Sequence, residues 1–149
     1  MKLEGIKELK PNVEYKQMVY QKDRKLEILF EGKYKNYQFY ILNLGTHPTA
    51  YIEIPRASKL FGKGYGEIYN IGIDIDVHGG LTYADDHLQS IKKDTWFIGW
   101  DYAHGGDYAG YEVIFPENIR TGGKKWTTEE IFEDVVRGIE QIIKEENNE

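Results

Sequence analysis

Two short stretches hold most of the residue types that binding or catalysis would need. The first runs Ile73-Asp74-Ile75-Asp76-Val77-His78-Gly79-Gly80, and the second Trp100-Asp101-Tyr102-Ala103-His104-Gly105-Gly106-Asp107. In an extended chain, successive side chains point to opposite faces. Asp74, Asp76 and His78 therefore share one face, and Ile73, Ile75 and Val77 the other. Two carboxylates and an imidazole in a row are costly to bury unless they serve each other, a cation or a ligand. Left unburied, they are the solvated face of a strand. Glycine permits positive φ and close backbone approach, so the amides around Gly79-Gly80 and Gly105-Gly106 could face an anion.

These residues support three readings. In the first, a pocket takes a phosphate-bearing or nucleotide-like small molecule. Gly79, Gly80, Gly105 and Gly106 bring amides close, and His78 and His104 donate hydrogen bonds. Tyr83, Trp96, Trp100 or Tyr108 stacks on a base. Asp74, Asp76, Asp101 and Asp107 would repel such an anion unless they bind ribose hydroxyls or a cation intervenes. The second reading is a hydrolase, in which Asp76, His78, Asp101, His104 and Asp107 hold a divalent metal ion that activates water. Without a metal, His78, His104 and Asp101 would carry acid–base catalysis. The third is a protein inhibitor, with the polar cluster as an internal hydrogen-bond network. The first two require His78 and His104 to open onto one recess.

Other candidates are weaker. His47 precedes Pro48 in a turn, and His87 follows Asp85-Asp86. Lys59 and Lys63 could reach a phosphate, but the full P-loop pattern is missing. Gly122-Gly123-Lys124-Lys125 precedes a helix N-terminus, which favours anions. The chain has no cysteine, so thiolate nucleophiles, disulfides and Cys-ligated zinc are excluded. A net charge of −6 argues against a nucleic-acid partner. The opening MKLEGIKELK has no apolar h-region and no apolar run approaches a bilayer span, so a cytoplasmic location is expected.

The elements that must position these residues read as an α+β fold, a mostly antiparallel β-sheet with a C-terminal amphipathic helix packed on it. Residues 1–149 are expected to form a single domain, with no repeat or linker. Strands are expected at 14–20, 25–31, 37–44 and 50–54, with turns at 22–24 and 32–36 and a stop at Pro55. Residues 56–70 read as a loop with a helical turn at 58–61. Residues 71–77 and 95–101 read as strands framing a short helix at 84–91, followed by a loop at 102–110 and a strand at 112–115. Thr127-Thr128-Glu129-Glu130 fits a capping box. After it, Ile131, Val135, Ile139 and Ile142 recur at helical spacing, with Glu133, Asp134, Arg137, Glu140 and Lys144 assigned to the polar face. An aromatic-rich sheet of this size could leave a face for a homo-oligomer.

The segments 75–83 and 96–107 resemble an uncharacterised family of small phage- and prophage-encoded bacterial proteins, which pairs a DVHGGLT-like motif with a WWFGFDCAHxGD-like motif and ends in a helix. The likeness covers about residues 55–143. Two positions depart from it: Ser58 stands where a GHPLYGK-like loop has histidine, and Tyr102 replaces the family's cysteine. The resemblance implies an accessory phage gene and a role in countering host defence, by sequestering a nucleotide signal or inhibiting a host enzyme. It implies no particular reaction.

Overall fold

The computed structural model describes residues 3–4, 18–19, 27–44, 47–103, 112–113 and 126–147. The expected turn at 22–24, most of the strand at 14–20, the loop 104–110 and the basic stretch 122–125 lie outside the described residues. The rest is an α+β fold.

Six strands form one antiparallel sheet in the order β1-β3-β4-β5-β7-β6: β1 (Leu3–Glu4), β3 (Glu27–Tyr34), β4 (Tyr37–Asn43), β5 (Pro48–Ile54), β6 (Tyr83–Leu88) and β7 (Lys92–Asp101). A parallel pair, β2 (Met18–Val19) and β8 (Glu112–Val113), stands apart from it in pairing. Two helices complete the described chain, α1 (Tyr65–Asn70) and α2 (Thr128–Glu146).

The β3–β4 hairpin turns on two residues, Lys35 and Asn36, both at positive φ, the geometry that matches strand twist. This corrects the expected turn at 32–36. β3 runs through Gly32 because Tyr34 pairs with Tyr37 across the tighter turn. β5 begins at Pro48, a first-residue position that tolerates proline, and ends before Pro55.

The centre of the chain departs most from expectation. Residues 84–91 are not a helix. β6 and β7 form an antiparallel hairpin, with a register shift between Asp85 and His87. Residues 71–72 turn out of α1, and 73–77 join no ladder among the described residues. Both edges of β7 are taken, by β5 and β6, so this segment lies as a strap beside the sheet. The expected alternation nevertheless holds: Ile73, Ile75 and Val77 are buried while Asp74 and Asp76 are exposed. Within 56–70, the Phe61 amide closes a turn onto the Ser58 carbonyl at 3.1 Å, as expected at 58–61, and a helix not expected there forms further on at α1.

α2 starts as the capping box requires. The Thr127 hydroxyl accepts from the Glu130 amide at 3.2 Å, and Glu130 Oε1 accepts from the Thr127 amide at 3.1 Å. Ile131, Val135, Ile139 and Ile142 are fully buried in the main core with Phe30, Phe39, Ile52 and Trp100. Each such side chain contributes about 1.5–3 kcal/mol. Gly138 lets the helix sit close, since a Cβ there would meet Val77 Cγ1 at 3.2 Å and Ile52 Cδ1 at 3.3 Å. The opposite face of the sheet carries a second cluster around Tyr40, Leu42, Tyr51, Leu88 and Phe97.

Candidate functional site

The strap reaches its position through α2 rather than through the sheet. With no neighbouring strand among the described residues, its backbone groups bond to side chains of α2. Gln141 clasps Asp76 on both sides: its Oε1 accepts from the Asp76 amide at 2.6 Å and its Nε2 donates to the Asp76 carbonyl at 2.8 Å. Two residues on, the His78 amide donates to Asp134 Oδ2 at 3.1 Å. Gly79 and Gly80 then turn the chain at φ of 71° and 78°, and the Gly80 amide is consumed by the Val77 carbonyl at 2.9 Å. The Gly80 N–H expected to face an anion therefore closes the turn instead.

Asp134 is the hub. It lies on the helix yet is 6% exposed, and its two oxygens collect three donors. Oδ2 accepts from the His78 amide and from the buried Tyr102 hydroxyl at 2.7 Å; Oδ1 accepts from Arg137 at 2.5 Å. The Tyr102 hydroxyl in turn accepts from the Trp100 indole at 3.0 Å. A carboxylate can be buried when its lone pairs are used in this way. On this frame the His78 ring stacks on Tyr102 with centroids 4.8 Å apart and planes 2° from parallel. Trp126 tilts against both rings, 4.7 Å from His78 and 5.0 Å from Tyr102.

Beside these rings opens a cleft of about 440 Å³ lined by His78, Trp126, Glu130, Glu133, Asp134 and Arg137, within the size range of small-molecule sites. One wall is aromatic and the other is the first turns of α2. Glu130 is tied to Thr127 through the cap, and Arg137 to Asp134. Glu133 is exposed and makes no hydrogen bond or ion pair among the described residues.

Of the described residues singled out from sequence, only His78 lines this cleft. His104, Gly105, Gly106, Asp107 and Tyr108 lie outside the described residues, so the meeting of His78 with His104 is not visible. Asp76 contributes its backbone to Gln141, while its side chain is exposed. Asp101 accepts from Thr82 Oγ1 and the Ala103 amide, on the Tyr51 side, where its charge helps to raise the Tyr51 phenol above its usual range, burial being the larger cause. Trp100 is 1% exposed and offers no face to a ligand; it acts through Tyr102. Tyr83 belongs to the second cluster, packed edge-on against Tyr51. Trp96 donates to the Lys63 carbonyl and packs on Phe61.

Among the described residues, Asp76, His78 and Asp101 do not gather their ligand atoms. The group that does is Asp85, Asp86 and His87 on edge strand β6, with atoms within 4.8 Å of one another. There the His87 ring hydrogen bond, with help from Asp85, holds the Asp86 carboxyl below its usual range. No described helix is long and apolar enough to cross a membrane.

Sequence reasoning missed Trp126, Asp134 and Arg137 as site residues. One signal was present: Asp134 falls three residues after Ile131 and four before Gly138, within the apolar stripe rather than opposite it. An acid at a stripe position, with arginine one turn on, marks a buried carboxylate met by an exposed guanidinium. The chain matches no family model, no curated protein and no solved structure.

Proposed function

We propose that this protein is a small-molecule binding protein whose cleft takes a planar, nucleotide-like ligand. The observation that carries the reading is the aromatic wall, His78 and Trp126, packed beside a cleft on Tyr102, which the Trp100–Tyr102–Asp134–Arg137 hydrogen-bond chain holds in place. A wall held by buried bonds is already ordered before a ligand arrives, which lowers the entropic cost of binding. Stacking on an aromatic face suits any nucleobase. The carboxylates favour the base and ribose, whose amines and hydroxyls donate, as the groups that enter. Phosphates fit the outer side of Arg137, whose guanidinium has donors beyond the one given to Asp134. In the setting implied by the resemblance to phage-encoded proteins, sequestering a nucleotide signal of host defence is the role such a cleft would serve.

The test is thermal shift and calorimetry with nucleosides, mononucleotides, and cyclic and dinucleotide signals. Binding to the native state alone raises the melting temperature, by an amount that grows with ligand concentration. Trp126→Ala is expected to abolish the response and His78→Ala to weaken it, both variants remaining folded. Silence across the panel removes this reading and leaves protein inhibition, to be sought by binding to host proteins. A response to divalent metals alone moves the assignment to a hydrolase.

A further inference from the structure

Glu133 and Arg137 stand one helical turn apart, where a glutamate and an arginine ordinarily pair. Here the arginine turns instead to Asp134. Glu133 is left at the cleft wall as a carboxylate that nothing among the described residues neutralises. Glu130, the other glutamate of the wall, already serves the helix cap. Lining the same cleft, the rings and the Glu133 carboxylate offer different kinds of contact: an aromatic ring meets a planar ligand by its face, a carboxylate by an edge.

Building on the small-molecule reading above, we infer that Glu133 sets the specificity of the cleft, selecting a planar group that presents two parallel N–H donors. A carboxylate offers two oxygens side by side and, when ionised, only accepts. Its best planar partner is therefore an edge with two adjacent N–H groups, bound bidentately as carboxylates bind guanidinium. Guanine carries such an edge in N1–H and its 2-amino group; a guanidine carries it outright and also stacks on indole with cation–π attraction. Adenine presents an acceptor beside its amine, so half of its edge opposes the carboxylate.

A graded series tests this on the full chain by calorimetry: guanosine, inosine, which lacks the 2-amino donor, and adenosine, with arginine amide as the non-nucleotide source of the same edge. Guanosine is expected to bind best, with inosine about tenfold weaker and adenosine weaker still, on the scale of one lost charge-assisted hydrogen bond per step. E133Q should flatten the series without lowering the melting temperature. Binding of arginine amide with silence from guanosine upholds the edge chemistry and assigns it to a guanidinium ligand. Equal binding of guanosine and adenosine through Trp126 overturns the role of Glu133 while leaving the small-molecule reading intact. Silence from all four compounds, and from the wider nucleotide panel, sinks both.

Discussion

The Asp134 carboxylate serves the Tyr102 hydroxyl, the His78 amide and Arg137 at once, so its removal leaves several donors without a partner. An unsatisfied buried group costs about 1–3 kcal/mol, whereas the Arg137 side chain, 55% exposed, returns to water. Asp134→Ala is therefore expected to lose about 3 kcal/mol in urea unfolding. Tyr102→Phe, which keeps the ring under His78 but removes its hydroxyl, should lose about 1–2 kcal/mol. Since both act in one chain of bonds, the double variant should cost less than the two effects added. Simple additivity would show that the chain does not act as a unit.

At the scale of elements, α2 carries the strap and one wall of the cleft, so its start matters to both. Thr127→Ala removes the cap and should cost about 1 kcal/mol. Its neighbour behaves oppositely. Thr128 is fully buried and its hydroxyl has no partner among the described residues. Thr128→Val exchanges an unsatisfied hydroxyl for a methyl of like shape and should gain roughly 1 kcal/mol. The strap gives a second prediction. Gln141→Ala cuts both bonds to Asp76 while sparing the apolar anchors Ile73, Ile75 and Val77. Amide exchange at Asp76 should then accelerate, with β4 and β5 unchanged. Unaltered protection at Asp76 would mean that apolar burial alone holds the strap.

For the whole molecule, pH reports how distant segments are joined. Glu140 on α2 bonds Lys35 at the hairpin turn at 2.6 Å and Tyr34 at 2.5 Å. The Lys35 contact first, then Tyr34, holds the Glu140 carboxyl below its ordinary value of 4.5. A depressed acid stabilises the fold above its unfolded value, and that stability is lost as pH falls through the folded value. With the Lys35 and Glu140 side chains 46% and 42% exposed, the loss should stay under about 1 kcal/mol. It should be absent in Glu140→Gln. At the alkaline end, Tyr40 and Tyr83 are pushed up to about 12, chiefly by burial and then by nearby acids. Raised phenols stabilise the fold below their ordinary value of 10 and cease to do so as pH climbs through the folded value. The phenolate absorbance of the folded protein should therefore lag behind that of the urea-unfolded chain over this interval.

What could be read from the chain alone was local. The capping box at Thr127, the stripe Ile131–Val135–Ile139–Ile142 and the alternation of residues 73–77 follow from backbone periods of 3.6 and 2 residues. Those periods say which side of a segment is apolar wherever that segment ends up. They do not say what lies against it. That residues 73–77 form a strap follows from β5 and β6 filling both edges of β7, and residues 83–88 are a strand because they pair with β7. Asp134 could be buried only because Tyr102, the His78 amide and Arg137 converge on it. Partnership of this kind joins residues far apart in sequence, so it exists only once the tertiary structure has formed. The cleft beside His78 and Trp126 belongs to that second category.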